Sequence, residues 1–335
     1  MPVTETSESP RLQAGLSAVS AQIREGVASG PAPSGKIGQP EARDYGLLAV
    51  LGAVWGSSFL LIKLAVETIP PLTVATGRIA VGALALAAIV AVRGLDWPRT
   101  PRVWLLLAVM GMIGNILPFT LISWGEVHID SGLAAILMST VPLATILLAP
   151  AFVRDEPITA GKLVGVLVGI AGVVILIGPG ALSGAGSGVL GEIAVIVAAV
   201  CYACNGLFAR RLPAMPVEVI SAGTLLCAAL VGVPASLLVD QPWQVEPSAS
   251  SLAALICLGL VNTAGGYLLL FRLTMRAGAG FGSFNNFLVP LFGLMWGMLL
   301  LDERASPSSL LGLLLIFAGL GAVRLWPKGL GVRGR

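Results

Sequence analysis

The sequence predicts an all-α integral membrane protein of ten transmembrane helices, arranged as two inverted five-helix repeats. Three observations predict it. Hydrophobic residues make up 56% and charged residues 11% of the chain, with a mean hydropathy of +0.93; a soluble domain needs about 25% charged residues to coat its surface. Ten apolar runs are long enough to cross a bilayer, and lipid offers no partner for a bare backbone group, so each must be a helix. The third observation is internal. "DEPITAGKLVGVLVGIAGVVIL" at 155–176 is followed, 147 residues on, by "DERASPSSLLGLLLIFAGLGAV" at 302–323.

Residues 1–43 are rich in Ser, Pro, Gly, Ala and Glu and read as a disordered tail. The ten spans then fall at 45–66, 72–92, 103–123, 131–151, 160–178, 189–209, 217–239, 251–271, 279–301 and 308–326. The joints are turn chemistry: "ETIPP" at 67–71, "RGLDWPRTP" at 93–101, "DQPWQVEPSAS" at 240–250. The Gly-rich stretch 178–188 follows no strand, so it reads as a loop and not as a phosphate cradle. A short basic tail, 327–335, ends the sequence.

Lys and Arg set the direction. With the N-terminus inside, 17 of the 20 basic residues fall on inner segments, only Arg304 on an outer loop, and Lys63 and Arg78 within spans. Both termini are expected to face the cytoplasm, in a plasma or inner membrane.

The two copies span 45–179 and 189–326. Glu156, Gly165 and Gly172 keep the spacing of Glu303, Gly312 and Gly319; Asn115 pairs with Asn262, Pro142 with Pro290, and Trp55 with Tyr202. Five crossings per copy invert the second copy in the membrane. Inverted repeats of this kind are a device of secondary transporters, with the site near the midplane between the halves. Each acidic pair precedes a helix start, where free N–H groups and the dipole favour negative charge by about 0.3–1 kcal/mol.

Some stretches resemble a known family. "AVWGSSFLLIK", "PPLTVATGRIA" and "SGLAAILMSTVPLATILLAP" mark the first copy; "GEIAVIVAAVCYACNGLFARR" and "AGFGSFNNFLVPLFGLMWGMLLLDERASPSSLLGLLLIFAGL" mark the second. In this order the chain resembles an EamA-type member of the drug/metabolite transporter superfamily. The resemblance implies a ten-helix bundle with a central cavity, alternating access, and movement of small metabolites, commonly export. "CYACN" departs from the Trp-rich stretch frequent there.

Buried charge and polarity supply the site candidates. Lys63 and Glu67, four apart, can pair, or Lys63 can snorkel. Glu192 reads as interfacial. Arg78 lies roughly 9 Å inside the outer end of its span at 1.5 Å per residue; it either snorkels or faces inward, bracing a gate or attracting an anion. Trp55, Ser58, Asn115, Trp124, Ser139, Tyr202, Asn205, Asn262, Tyr267 and Asn285 form the candidate substrate-binding set, with interhelical hydrogen bonding as the competing role for each polar member. Ser57, Thr140 and Asn286 share that depth, and Phe284 adds a wall. Small residues four apart, Gly161/Gly165/Gly169 and Gly293/Gly297, read as packing faces, and Pro118, Pro142 and Pro290 as kinks.

No midplane carboxylate is visible, which points to a neutral, zwitterionic or amphipathic cargo and to coupling that is weak or peripheral. A cationic-drug exporter would want a buried acid; an enzyme would want a polar cluster; a pore would want a ring of like residues. The four cysteines sit in apolar runs, and His128 is the only histidine, so no metal or redox site is expected. No cofactor is implied. The net charge of +3 shows no basic stripe for nucleic acid. The expected partners are a small-molecule substrate and the lipid bilayer.

Overall fold

The computed structural model describes residues 40–152, 160–177 and 187–325. Residues 1–39 and 327–335, Glu156 and the 178–186 part of the Gly-rich loop lie outside the described residues. Within them the regular structure is helical and forms ten apolar helices, eight of them long and apolar enough to cross a membrane and the last two with shorter apolar runs. These are α1 (Ala42–Val66), α2 (Pro71–Val92), α3 (Pro101–His128), α4 (Ser131–Phe152), α5 (Ala160–Ile177), α6 (Ser187–Ala209), α7 (Val217–Val239), α8 (Ala249–Gly278), α9 (Asn285–Leu300) and α10 (Pro307–Leu325). Proline at the first turn starts α2, α3 and α10, where its missing N–H costs nothing. Ser248 starts α8 by accepting from the Ser251 N–H at 3.1 Å. Helix α3 runs five residues past the expected end at 123, and α8 runs past 271.

The helix partners follow one rule. α1 packs on α9 and α6 on α4; α3 packs on α6 and α8 on α1; α2 packs on α7, α4 on α9 and α5 on α10. Adding five to each number, cyclically, maps this set of pairs onto itself. At the α5–α10 crossing the glycines that repeat in the sequence are the ones that meet. A Cβ on Gly172 would lie 2.7 Å from the Gly312 carbonyl oxygen, and one on Gly165 2.5 Å from that of Gly319. Low residue against high residue makes the pair antiparallel, with backbones in contact along the crossing. Gly56 gives α1 the same approach to α9: a Cβ there would lie 2.8 Å from the Gly293 nitrogen.

Four irregularities break the helical regularity around the centre. α3 turns π-helical at Met112–Ile116, just before Pro118, and α8 does so at Leu258–Gly265. α4 is interrupted at Ser139 and Thr140, ahead of Pro142. The chain between α8 and α9 bends at Gly278, with φ 85° and ψ 157°, a conformation open to glycine because it has no Cβ. Pro290 sits inside α9.

Candidate functional site

A cavity of about 330 Å³ lies among α1, α2, α3, α4, α6, α8 and α9. It reaches the lower end of the size range of small-molecule sites. Eight of the ten candidate substrate-binding residues line it: Trp55, Ser58, Ser139, Tyr202, Asn205, Asn262, Tyr267 and Asn285. Arg78 lines it as well. Asn115, Trp124 and Lys63 do not.

The two π-helical stretches place the equivalent asparagines. A π turn adds one residue to the helical circuit and changes which carbonyls find intrahelical partners. In α8 the Asn262 carbonyl accepts from Trp55 Nε1 at 3.0 Å. The Asn262 side-chain nitrogen donates to the Val54 carbonyl and to the Ser57 and Ser58 hydroxyls, the latter two at 3.0 Å each. Asn262 therefore ties α8 to α1 with its amide nitrogen while its side chain borders the cavity. Asn115, 1% exposed, accepts from the Tyr267 hydroxyl at 3.3 Å and is covered by it. Interhelical bonding is what Asn115 does; direct lining was the wrong expectation for it.

Arg78 faces inward and is 5% exposed, which settles the snorkelling alternative. Its Nε and Nη2 both donate to the Thr263 hydroxyl, at 3.3 and 3.2 Å, and that hydroxyl passes its own proton to the Leu258 carbonyl at 2.8 Å. The guanidinium carbon lies 4.0 Å from the centre of the Phe119 ring, and Tyr202 meets the same ring at 64°. No carboxylate forms an ion pair with Arg78 among the described residues.

One end of the bundle is cross-tied by part-buried charges. Lys63 does not pair with Glu67. Its ammonium donates to the carbonyls of Glu126 and Ile129, 2.7 Å each, where α3 ends and its carbonyls have no helical partner. Glu303 accepts from the N–H groups of Ser131 and Gly132, at 2.8 and 2.9 Å, where α4 begins. The expectation that Glu303 serves its own helix is thus corrected: it caps α4 across the bundle. Asp302, at φ 54°, turns the chain back so that Glu303 can reach.

Two carboxylates are more buried than their sequence context suggests. Glu126 is 0% exposed, and neither of its oxygens has a hydrogen-bond partner among the described residues. It lies within electrostatic reach of Lys63, Glu303 and Arg78. Ending the third span at 123 hid it, although Phe119, Ile122, Ser123 and Glu126 share one helical face, all buried. Glu192, expected at the outer surface, is 9% exposed and packed among the helices just inside α6, which begins at Ser187. Trp124 falls on the opposite face, 38% exposed, with its ring edge-on to His128 at 4.6 Å.

Toward the other end the chamber continues. Trp55, Asn285 and Asn286 are shared with a second cavity of about 290 Å³, bounded by Leu270, Thr274 and Gly282. Ion pairs there lie beside the path: Arg276–Asp44 at 2.8 Å joins α8 to α1, and Arg93–Glu218 at 2.6 Å joins α2 to α7. All four cysteines are free.

The EamA-like transporter family model matches twice, over residues 45–178 and 189–325. The "Uncharacterized inner membrane transporter YedA" of Escherichia coli strain K12 is 28% identical over 282 residues, covering 82% of this chain and 88% of that protein. The "Probable amino-acid metabolite efflux pump" of the same strain is 29% identical, covering 83% and 94%. The "Probable terminal-alkyne amino-acid exporter" of Streptantibioticus cattleyicolor is 27% identical, covering 82% and 90%. A solved structure, titled only as a protein crystal structure, superposes with a TM-score of 0.60 at 21% identity, over 85% of this chain and 99% of the other. That likeness speaks for the fold.

Proposed function

The chain belongs to the EamA-like transporter family, and from that premise we propose that it is a secondary carrier exporting small amino-acid-like metabolites by alternating access. The observation that carries this reading is the central cavity, walled by the repeat-equivalent helices and cross-tied at the Lys63 end while continuing toward the Thr274 end. With the N-terminus placed inside by the Lys and Arg bias, this arrangement is an inward-open state. Two halves inverted in the membrane can exchange shapes, so the opposite state closes the Thr274 end and parts Lys63 and Glu303 from the α3–α4 turn. The relatives named for amino-acid metabolite efflux and for amino-acid export support the cargo class. The chamber serves passage and not catalysis in this reading. A cationic-drug exporter is disfavoured, because the charged residue in the cavity wall is Arg78.

Counterflow of an amino-acid panel in proteoliposomes tests the proposal. Saturable exchange, lost when a bulky Ser139→Trp fills the chamber, is the expected result. Linear, unsaturable flux indifferent to Ser139→Trp sinks the carrier reading.

A further inference from the structure

We infer that Arg78 is the docking point for a carboxylate on the transported solute, so that the cargo is an organic acid or amino acid recognised through that group; this rests on the carrier reading above. A guanidinium stays charged in any protein environment and carries five N–H donors in a planar fork. Arg78 directs two nitrogens onto a single hydroxyl, Thr263 Oγ1, and Nη1 has no partner among the described residues. The side chain is nine-tenths buried and no acid pairs with it. Burying a cation without a counter-charge is strongly unfavourable. A structural arginine of this kind is ordinarily matched by an acid bonded to it; here buried Glu126 lies within electrostatic reach but makes no bond to Arg78, and the guanidinium borders the cavity.

The surroundings fix how an anion would meet it. Phe119 covers one face of the guanidinium at 4.0 Å, so ligands approach in its plane, where two parallel N–H···O bonds suit a carboxylate. Thr263 is oriented by the Leu258 carbonyl and presents only lone pairs to Arg78, which holds the fork in place. Elsewhere in the wall, the side-chain oxygens of Asn205, Asn262 and Asn285 are buried without a donor, and the Asn285 amide nitrogen without an acceptor. These neutral polar groups suit the amino or amide function of the same solute. A chamber with one cation and no lining acid disfavours an amine without a carboxylate.

The full chain in proteoliposomes, with amino acids compared against their C-terminal amides in counterflow, tests the inference. The acids should exchange at least about tenfold better than the matched amides, the margin expected of one charge-assisted bidentate contact. Arg78→Gln should abolish that preference, bringing exchange of the acids down to that of the matched amides in the same protein. Thr263→Val keeps the charge but loosens the fork, and should raise the half-saturation concentration for acids only. Equal exchange of acid and amide by the unaltered protein overturns the inference and leaves the carrier reading standing, because exchange still occurs. No saturable exchange of any acid or amide overturns both. The unaltered protein decides the matter even if Arg78→Gln does not fold.

Discussion

Replacing Asn262 by Ala removes an amide nitrogen whose two hydrogens are shared among three acceptors on α1: the Val54 carbonyl and the hydroxyls of Ser57 and Ser58. Interhelical hydrogen bonds in membrane proteins average about 0.6 kcal/mol each, so two sum to about 1.2 kcal/mol. That is roughly an eightfold shift in the unfolding equilibrium. The symmetry-related change, Asn115→Ala, removes one bond to Tyr267 at 3.3 Å. It should cost about 0.6 kcal/mol, roughly a threefold shift. Equilibrium unfolding in mixed micelles with increasing dodecyl sulfate, followed by tryptophan fluorescence, measures both. If Asn115→Ala destabilises as much as Asn262→Ala, then the asymmetry of bonding between the two equivalent asparagines is not what holds the halves, and the reasoning fails.

Further outcomes concern the closed end and the helix crossings. Lys63→Met leaves the Glu126 and Ile129 carbonyls without their donor, at about 1–3 kcal/mol per orphaned group. The closed end should part more often, read as faster maleimide labelling of Ile129→Cys in a background with the four native cysteines changed to Ser. Glu303→Ala uncaps α4 and should cost about 0.5–2 kcal/mol, with Glu303→Gln falling between; micellar unfolding ranks the three proteins. Gly172→Leu drives a side chain into the Gly312 backbone and should leave little folded monomer by size-exclusion chromatography. Trp124→Leu touches a lipid-facing ring and should leave exchange rates within about twofold of the unaltered protein, as surface changes generally do.

The ten helices were legible because lipid demands an unbroken apolar run for each, and a run is a local property. The duplication was legible in Gly165, Gly172, Gly312 and Gly319, whose spacing records a backbone contact that tolerates no side chain. Most of the chamber wall was legible too, since Trp55, Tyr202, Asn205 and Tyr267 are costly in hydrocarbon unless they face inward. What escaped was helix phase near the span ends. Trp124 and Glu126 are two residues, and so about 200°, apart on the helix at 3.6 residues per turn; a hydropathy window ending at 123 ignores that angle. Glu303 escaped for another reason. Its partners lie 172 and 171 residues away, and nothing local in "LDER" tells which helix start a carboxylate will cap.

The surplus residue in the Met112–Ile116 turn carries a consequence for the rest of α3. It takes up one residue within a widened turn, so every later side chain lags by about one step of the helical dial, about 100°, behind its place in an unbroken α-helix of the same sequence. Straightening the turn with every residue kept would swing the Leu117–His128 half by that angle, taking Phe119 off the Arg78 guanidinium and Glu126 off its buried face, whereas excising one residue there would restore an ordinary helix and leave both where they are. The fold thus stores the aim of a whole half-helix in one wide turn, and the same holds for Tyr267 beyond the matching turn in α8.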